Sequence, residues 1–307
     1  SSGKGGGIMQ FCREMLRIQG RQMSMFEVAR WMEAKGISTT SPSTPPASDC
    51  KSHSLAHHRS SSLDGANRPV EIDLRPWLRT EHPEWGRRGI SATTCRYLGC
   101  GFLPHRTGAK ASSPLNSRLV FQVRGIQEKD RHLQPIILSH SGRALTPEQE
   151  KSDGKYWSYP FRKGLEIYNQ DKLLLDMEAC SQTGASGLIL VEGFFDVAKL
   201  VEAGCRNVGA LMGAHISAEQ IERLEWMRSR IGFSRIVLFL DRDQAGREGA
   251  RRAAEQLLHH GFDVSVFDWN RDVSGNGQSI GSIPSTTKDP GDMPVEQLRD
   301  LREQGVI

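Results

Sequence analysis

No stretch of the 307-residue chain is apolar over the roughly 20 residues that a membrane-spanning helix needs. Nothing at the start has the basic-then-apolar form of a signal peptide. Of the six cysteines (Cys12, Cys50, Cys95, Cys100, Cys180 and Cys205), no two form a Cys-x-x-Cys pair. That excludes the usual zinc and dithiol spacings. A chain this long needs no disulfide staples, so the thiols are expected to be reduced and the protein cytoplasmic. No period of roughly 20–50 residues repeats, which excludes a solenoid or propeller. No Gly-x-x-x-x-Gly-Lys-Ser/Thr loop occurs, so these residues encode no P-loop motor.

The composition present is that of a globular protein on the polar side, 37% hydrophobic and 25% charged. The formal net charge of +4 and a pI of about 8.8 permit a nucleic-acid partner without requiring one. The length suits two modest domains. The chain begins with Ser1, so it is expected to be a fragment lacking its true start.

Four regions are expected. Residues 1–37 read as two short helices; Ile8, Phe11, Cys12 and Met15 share a face, and Ser24 opens a capping box with Glu27. Residues 38–69 are rich in Ser, Thr, Pro and His and read as a disordered linker. Residues 70–180 read as mixed α+β. Ser91 caps a helix ending at Gly99, Leu119, Phe121 and Val123 alternate as in a half-buried strand, and Ile136–Leu138 is its partner. Residues 181–307 alternate strand and helix: Leu188–Val191, a helix to Ala203, Val208–Met212, a helix capped by Ser217 and Gln220, Ile236–Leu240, a helix from Gln244 to His260, and Val264–Phe267. This βαβαβαβ order predicts a parallel sheet flanked by helices on both faces. Residues 270–287 read as a mobile loop, and a last helix spans Pro294 to Gln304.

Acidic residues fall where such a sheet puts its sites. Glu192 follows the first strand, and Asp241 and Asp243 follow the most apolar one. Ligands of open parallel sheets bind at the carboxyl ends of strands. The i, i+2 spacing of an extended segment turns both aspartates the same way. Asp289 and Asp292 flank a turn that can close the site, and Asp196 starts a helix. Crowded carboxylates repel one another and raise each other's pKa. A Mg²⁺ or Mn²⁺ ion relieves this with one or two carboxylates plus substrate phosphates. Taken singly, an Asp-x-Asp after a strand is as often a helix cap. Taken together, the set reads as a metal site.

At these residues the chain resembles the Toprim domain of bacterial DnaG-type primases, topoisomerases and some nucleases. Val191-Glu-Gly-Phe-Phe-Asp-Val197 is similar to the primase form of the first motif, Val-Glu-Gly-Tyr-Met-Asp-Val. Leu240-Asp-Arg-Asp-Gln-Ala-Gly-Arg247 is similar to the second, with a primase-like Ala-Gly-Arg ending. Lys288-Asp-Pro-Gly-Asp-Met293 resembles the third, Lys-Asp-Pro-Asp, with one residue inserted after Pro290. Upstream, Gly154–Lys163 with Tyr168, Asn116–Phe121, and Tyr97–Phe102 are similar to the basic, template-binding primase subdomain. The Gly3–Phe11 and Met25–Ala29 segments resemble the back half of a primase zinc-ribbon domain. Ser2 stands where its last cysteine would be, so no zinc site is expected; either zinc has been lost or the start is truncated.

The resemblance implies a Toprim domain at 181–307, a basic subdomain at 70–180 and a zinc-ribbon remnant at 1–37. It implies a nucleotidyltransferase that makes RNA primers from nucleoside triphosphates on single-stranded DNA, with a replicative helicase as partner. Glu192, Asp241 and Asp243 would be catalytic. Asp196, Asp289 and Asp292 would join them around Mg²⁺ or Mn²⁺, and Arg118, Lys155 and Lys163 would contact nucleotide or template. Two alternatives stay open: a Toprim nuclease and a non-catalytic DNA-binding accessory protein of a mobile element. A topoisomerase is disfavoured, because all four tyrosines (97, 156, 159 and 168) lie in the basic subdomain.

Overall fold

The structure is a computed structural model that describes residues 66–105, 113–270, 272–275 and 278–307. The helices and zinc-ribbon remnant expected at 1–37, and most of the 38–69 linker, lie outside the described residues. Those described belong to one compact unit, Ser61–Ile307. Among them no helix is long and apolar enough to cross a membrane, and Cys95, Cys100, Cys180 and Cys205 are free thiols.

The first half is an antiparallel sheet. Helices α1 (Pro83–Arg87) and α2 (Ala92–Leu98) precede β1 (Cys100–Leu103), β2 (Arg118–Lys129) and β3 (His132–Arg143); α3 (Pro147–Asp153) and β4 (Tyr156–Ser158) follow, and the strand order is β1-β2-β3-β4. Ser91 caps α2 by accepting from Thr94 N–H, and Gly99 closes it at φ 69°, a left-handed conformation that glycine adopts without strain. The register pairs Cys100 with Phe121 and Phe121 with Ser141.

Strand β2 corrects the half-buried expectation, since its first eight residues are buried on both faces. Leu119, Phe121 and Val123 join the main core, while Val120 packs with Leu74, Leu103 and Leu115 on the other side. The polar residues between them are satisfied internally: Gln122 donates to Asp73, and Arg124 pairs with Asp171 at 2.8 Å. Period-two patterning fails because both faces of this strand are covered.

Helices α4 (Gln170–Leu175) and α5 (Met177–Ser186) lead into the second sheet, built from β5 (Leu188–Val191), α6 (Phe194–Glu202), β6 (Val208–Ala210), α7 (Ala218–Ile231), β7 (Arg235–Leu238), α8 (Gln244–His259) and β8 (Asp263–Val266). All pairings are parallel, as the alternation predicts, and the strand order is β6-β5-β7-β8. Ser217 and Gln220 form the expected capping box of α7. Residues 270–287 depart from the loop reading: β9 (Asp272–Gly275) and β10 (Gln278–Ser282) pair antiparallel. The Asn-Gly dipeptide between them in sequence is a strong hairpin signal that a composition-based reading passes over. Helix α9 (Val295–Glu303) ends the fold.

One hydrophobic cluster runs through both halves. Its joint is Phe121, fully buried, stacked on Phe194 at 5.1 Å and edge-on to Phe195 and Trp85 at 5.0 and 5.6 Å. Phe121→Ala should cost about 3–5 kcal/mol. Residues 66–307 should still unfold in one urea transition, because the cluster is shared. Two separate transitions in the wild-type chain would show that the halves are energetically independent.

Candidate functional site

The acidic residues sit at the carboxyl edge of the parallel sheet. Glu192 follows β5, and β7 runs on through buried Phe239 and Leu240 to Asp241. The two strands are neighbours, with Phe239 N–H donating to the Leu190 carbonyl at 2.9 Å. This brings the two carboxylates together: Asp241 N–H donates to Glu192 Oε1 at 3.2 Å. Gly246, in the first turn of α8, allows the close approach behind them, for a Cβ there would lie 2.2 Å from the Asp241 carbonyl oxygen.

Asp196 lies in the first turn of α6 and is buried. Its Oδ2 accepts from Gly193 N–H at 2.8 Å and its Oδ1 from Gly291 N–H at 3.0 Å. That second bond ties the first acidic motif to the third, across a gap in which a Cβ on Gly291 would press on both Asp196 and Asp289 at 3.0–3.1 Å. Asp289 caps the short 3₁₀ turn Pro290–Asp292, accepting from Asp292 N–H at 2.8 Å.

Glu192, Asp196, Asp241, Asp289 and Asp292 line one cleft of about 370 Å³. Its opposite wall is basic and comes from the antiparallel half: Arg88, Arg143, Lys155 and Lys163. Tyr156, Phe194, Phe195 and Met212 supply the apolar surface. The Arg88 guanidinium lies 4.1 Å over the Phe195 ring, and that of Arg143 lies 5.2 Å over Tyr156. A larger cavity of about 540 Å³ beside Trp226 lies away from these groups.

Two expected site residues stand elsewhere. Arg118 is 1% exposed; its guanidinium donates to the carbonyls of Pro114 and Gln149 and to Asp153. It is therefore a buried tie between β2 and α3, not a template contact. Asp243 is exposed, and its Oδ1 accepts from Gly246 N–H at 2.8 Å as the cap of α8. Asp241 alone of the Asp-x-Asp pair lines the cleft, while the Asp243 side chain is taken up as the cap of α8. Lys155 and Lys163 reach the cleft as expected. Arg88 and Arg143 went unrecognised, since a single arginine in a loop or at a strand end carries no local signature. Trp157 packs on Tyr159 in a separate cluster, and Arg251 and Arg252 pair with Glu255 and Glu248 on a solvated face.

The electrostatics are those of carboxylates crowded together and stripped of water, which the nearby Lys155 and Arg88 offset only in part. Burial, then the charges of Asp196, Glu192, Asp289 and Asp243, push the Asp241 carboxyl up from 3.8 to about 8. Burial and Asp289 push Asp196 up to about 7, and burial raises Glu192 and Asp289 as well. Asp241 Oδ1 is buried with no hydrogen-bond partner. An orphaned carboxylate oxygen among acidic neighbours is a hard-donor set that fits a divalent cation. Among the described residues no three acidic, histidine or cysteine side chains form an arrangement that could hold an ion unaided.

Comparison with known proteins agrees with this geometry. A Toprim domain model matches residues 186–268, the stretch that carries β5 to β8. A DNA primase of Staphylococcus aureus is 31% identical over 137 residues, which cover 45% of this chain and 21% of that protein. A DNA primase of Mycoplasma pneumoniae is 38% identical over 84 residues, 27% of this chain and 13% of that one. The chain thus aligns with about a fifth or less of these curated relatives' length. Among solved structures, the zinc-binding and RNA polymerase domains of Aquifex aeolicus primase match with a TM-score of 0.53 at 19% identity, covering 98% of this chain and 70% of that one. A DnaG primase catalytic domain bound to single-stranded DNA matches at 0.51 and 18%, covering 76% and 75%. The RNA polymerase domain of Mycobacterium tuberculosis DnaG matches at 0.51 and 20%, covering 71% and 73%. At these identities the structural likeness concerns the fold. The chain resembles the catalytic core of DnaG-type primases.

The raised carboxylates set a pH signature for the metal-free protein. A group whose pKa is raised by folding contributes stability below its unfolded value and loses it as pH climbs through the folded one. In EDTA the melting temperature should fall from about pH 4, the unfolded value, to about pH 8, and level off above the folded values near 7 and 8 of Asp196 and Asp241. Asp241→Asn should shrink that fall, and Mn²⁺ should raise the melting temperature more at the alkaline end. An identical pH profile for wild type and Asp241→Asn would overturn this account.

Proposed function

We propose that the chain is the catalytic part of a DNA primase, a nucleotidyltransferase that joins nucleoside triphosphates into RNA on a single-stranded DNA template. The observation that carries this reading is the pairing of an acidic floor with a basic wall across one cleft. In nucleotidyl transfer a 3′-hydroxyl oxygen bonds to the α-phosphorus as the bond to the β-phosphate breaks, releasing pyrophosphate and a proton. The reaction needs cations beside the phosphates and a place for the proton, and both kinds of group face each other here.

Glu192, Asp241 and Asp289 would hold Mg²⁺ or Mn²⁺, with Asp196 and Asp292 assisting and Asp243 acting from the outer edge. A divalent ion bound there would lower the pKa of the attacking hydroxyl and neutralise charge on the phosphates. The carboxylates leave part of a coordination sphere open, which suits a site completed by phosphate oxygens. Glu192, half-buried with its carboxyl raised by burial, lines the cleft where it could take up the proton. Asp196 orients the acidic loop through Gly291 N–H. Lys155 and Lys163, joined by Arg88 and Arg143, would engage the triphosphate and the template backbone. Tyr156, on the cleft wall, offers an aromatic surface beside them.

The test is incubation with labelled nucleoside triphosphates, single-stranded DNA and Mn²⁺. Extension products support the reading, degradation of the DNA supports a nuclease, and tight binding with neither supports an accessory protein. Asp241→Asn should lower incorporation by about 100-fold or more while leaving the protein folded. Lys155→Ala and Lys163→Ala should act mainly on KM for the nucleotide. Undiminished primer synthesis by Asp241→Asn would refute the assignment.

A further inference from the structure

Arg242 stands between Asp241 and Asp243, on the rim of the cleft, and no step above uses it. Its surroundings are specific. Guanidinium Nη1 donates to the Pro284 carbonyl at 2.7 Å and lies 3.4 Å from that of Ile283. Its backbone N–H donates to the Lys288 carbonyl at 2.7 Å. Its own carbonyl accepts from Arg247 Nη1. Beneath it the guanidinium sits 6.0 Å from the centroid of the Trp269 ring, and Trp269 Nε1 donates to the Leu240 carbonyl at 3.0 Å.

These contacts occupy a strategic place in the topology. Trp269 is where the chain leaves the parallel sheet, and Ile283 and Pro284 are where it returns after the β9–β10 hairpin. Both ends are anchored: Trp269 and Ile283 are 8% and 3% exposed members of the main core. Arg242 bridges the entry and exit of this excursion and so closes its base. Five residues beyond Pro284 stands Asp289, whose carboxylate belongs to the cleft. The main-chain bond to Lys288 ends one residue short of Asp289.

We propose that Arg242 is a positioning residue for the metal site, a clasp that sets Asp289 against Asp241. The inference rests on the metal reading above and adds the device that brings the third acidic motif to the second. The need for one is physical. Asp289 and Asp241 repel each other, and burial raises both carboxyls. Without a tether the loop bearing Asp289 would relax away from the strand end. Asp196 restrains that loop from one side through Gly291, and the Arg242 guanidinium restrains its start through the Pro284 carbonyl. The planar guanidinium suits this task, since its Nη1 reaches two successive carbonyls while the rigid group lies by the Trp269 ring, where a lysine ammonium is a mobile point charge. Outer residues that orient metal ligands typically change metal affinity by about 10- to 100-fold when removed.

The experiment titrates Mn²⁺ into the full chain by electron paramagnetic resonance, alongside amide hydrogen exchange of metal-free protein. Arg242→Gln should weaken Mn²⁺ binding by about 10- to 100-fold and speed exchange of the Gly291 and Asp292 amides, with a near-normal melting temperature. Arg242→Lys should recover part of the affinity. In an Asp289→Asn background Arg242→Gln should add little further loss, because the ligand it positions is gone. A merely structural arginine would weaken both backgrounds equally, and that result overturns the proposal. Wild-type protein without Mn²⁺ affinity both alone and with a nucleoside triphosphate present would refute the metal reading itself. Normal Mn²⁺ affinity in Arg242→Gln would refute the clasp alone.

Discussion

Carboxylates that repel one another are held together here in surroundings that strip away their water, and much of the architecture serves to hold them. Glu192 and Asp241 are fixed by neighbouring parallel strands and share a backbone hydrogen bond. Asp196 is gripped by two main-chain amides from separate segments, and Asp289 by the amide of Asp292. Backbone N–H groups are the donors least able to move away, so they stabilise charge without adding mobile cations. They do not neutralise it: burial still raises Asp196 and Asp241 to about 7 and 8. A site left in this state is poised to gain from a cation, since the ion removes repulsion that the fold has already accepted.

The basic wall comes from a different sheet, so the cleft exists only if the two halves keep a fixed distance. Phe121 on β2 and the Phe194–Phe195 pair on α6 meet in one aromatic cluster directly behind the cleft. Phe194 and Phe195 immediately precede Asp196, and both also line the cleft. The same few residues therefore join the halves and shape the site. Arg88 is placed through this joint as well, its guanidinium over Phe195 and its carbonyl accepting from the buried Lys199 Nζ of α6. Packing in the core and geometry in the cleft are two ends of the same side chains.

What could be read from the sequence was what is local. Strong apolar runs followed by acidic residues mark the strands of the parallel sheet and the edge on which Glu192 and Asp241 lie, but not the order of the strands. Caps at Ser91 and Ser217 were legible because a hydroxyl three residues before its amide is a short-range device. Arg118 and Arg143 mark the limit. Both are arginines at ends of strands in one sheet, yet one is buried among carbonyls from α3 and its flanks while the other faces the cleft. Only long-range packing separates them. Asp243 shows a related limit: its carboxylate caps α8 while its charge still acts on Asp241 and Glu192, and spacing alone does not separate the two roles. The Asn-Gly dipeptide in the sequence between β9 and β10 is a hairpin signal, outweighed by a Gly/Ser-rich composition that usually signals a loop.

The division between the two kinds of charge has a consequence for how the proposed chemistry is arranged. The acidic floor is rigid, built from strand ends and backbone bonds, and four of its carboxyls are partly or wholly desolvated. The wall residues Lys155 and Lys163 are long side chains near the cleft mouth, in a segment of short β4 and irregular chain between Gly154 and Tyr168. Metal coordination needs fixed ligands, whereas a template that moves by one nucleotide per step needs contacts that release and re-form. Flexible lysines over a stiff carboxylate set meet both demands, because their attraction to phosphate is strong but not directional. Reversing the arrangement, with mobile acids and fixed bases, would lose the metals at each step and hold the template too firmly to advance.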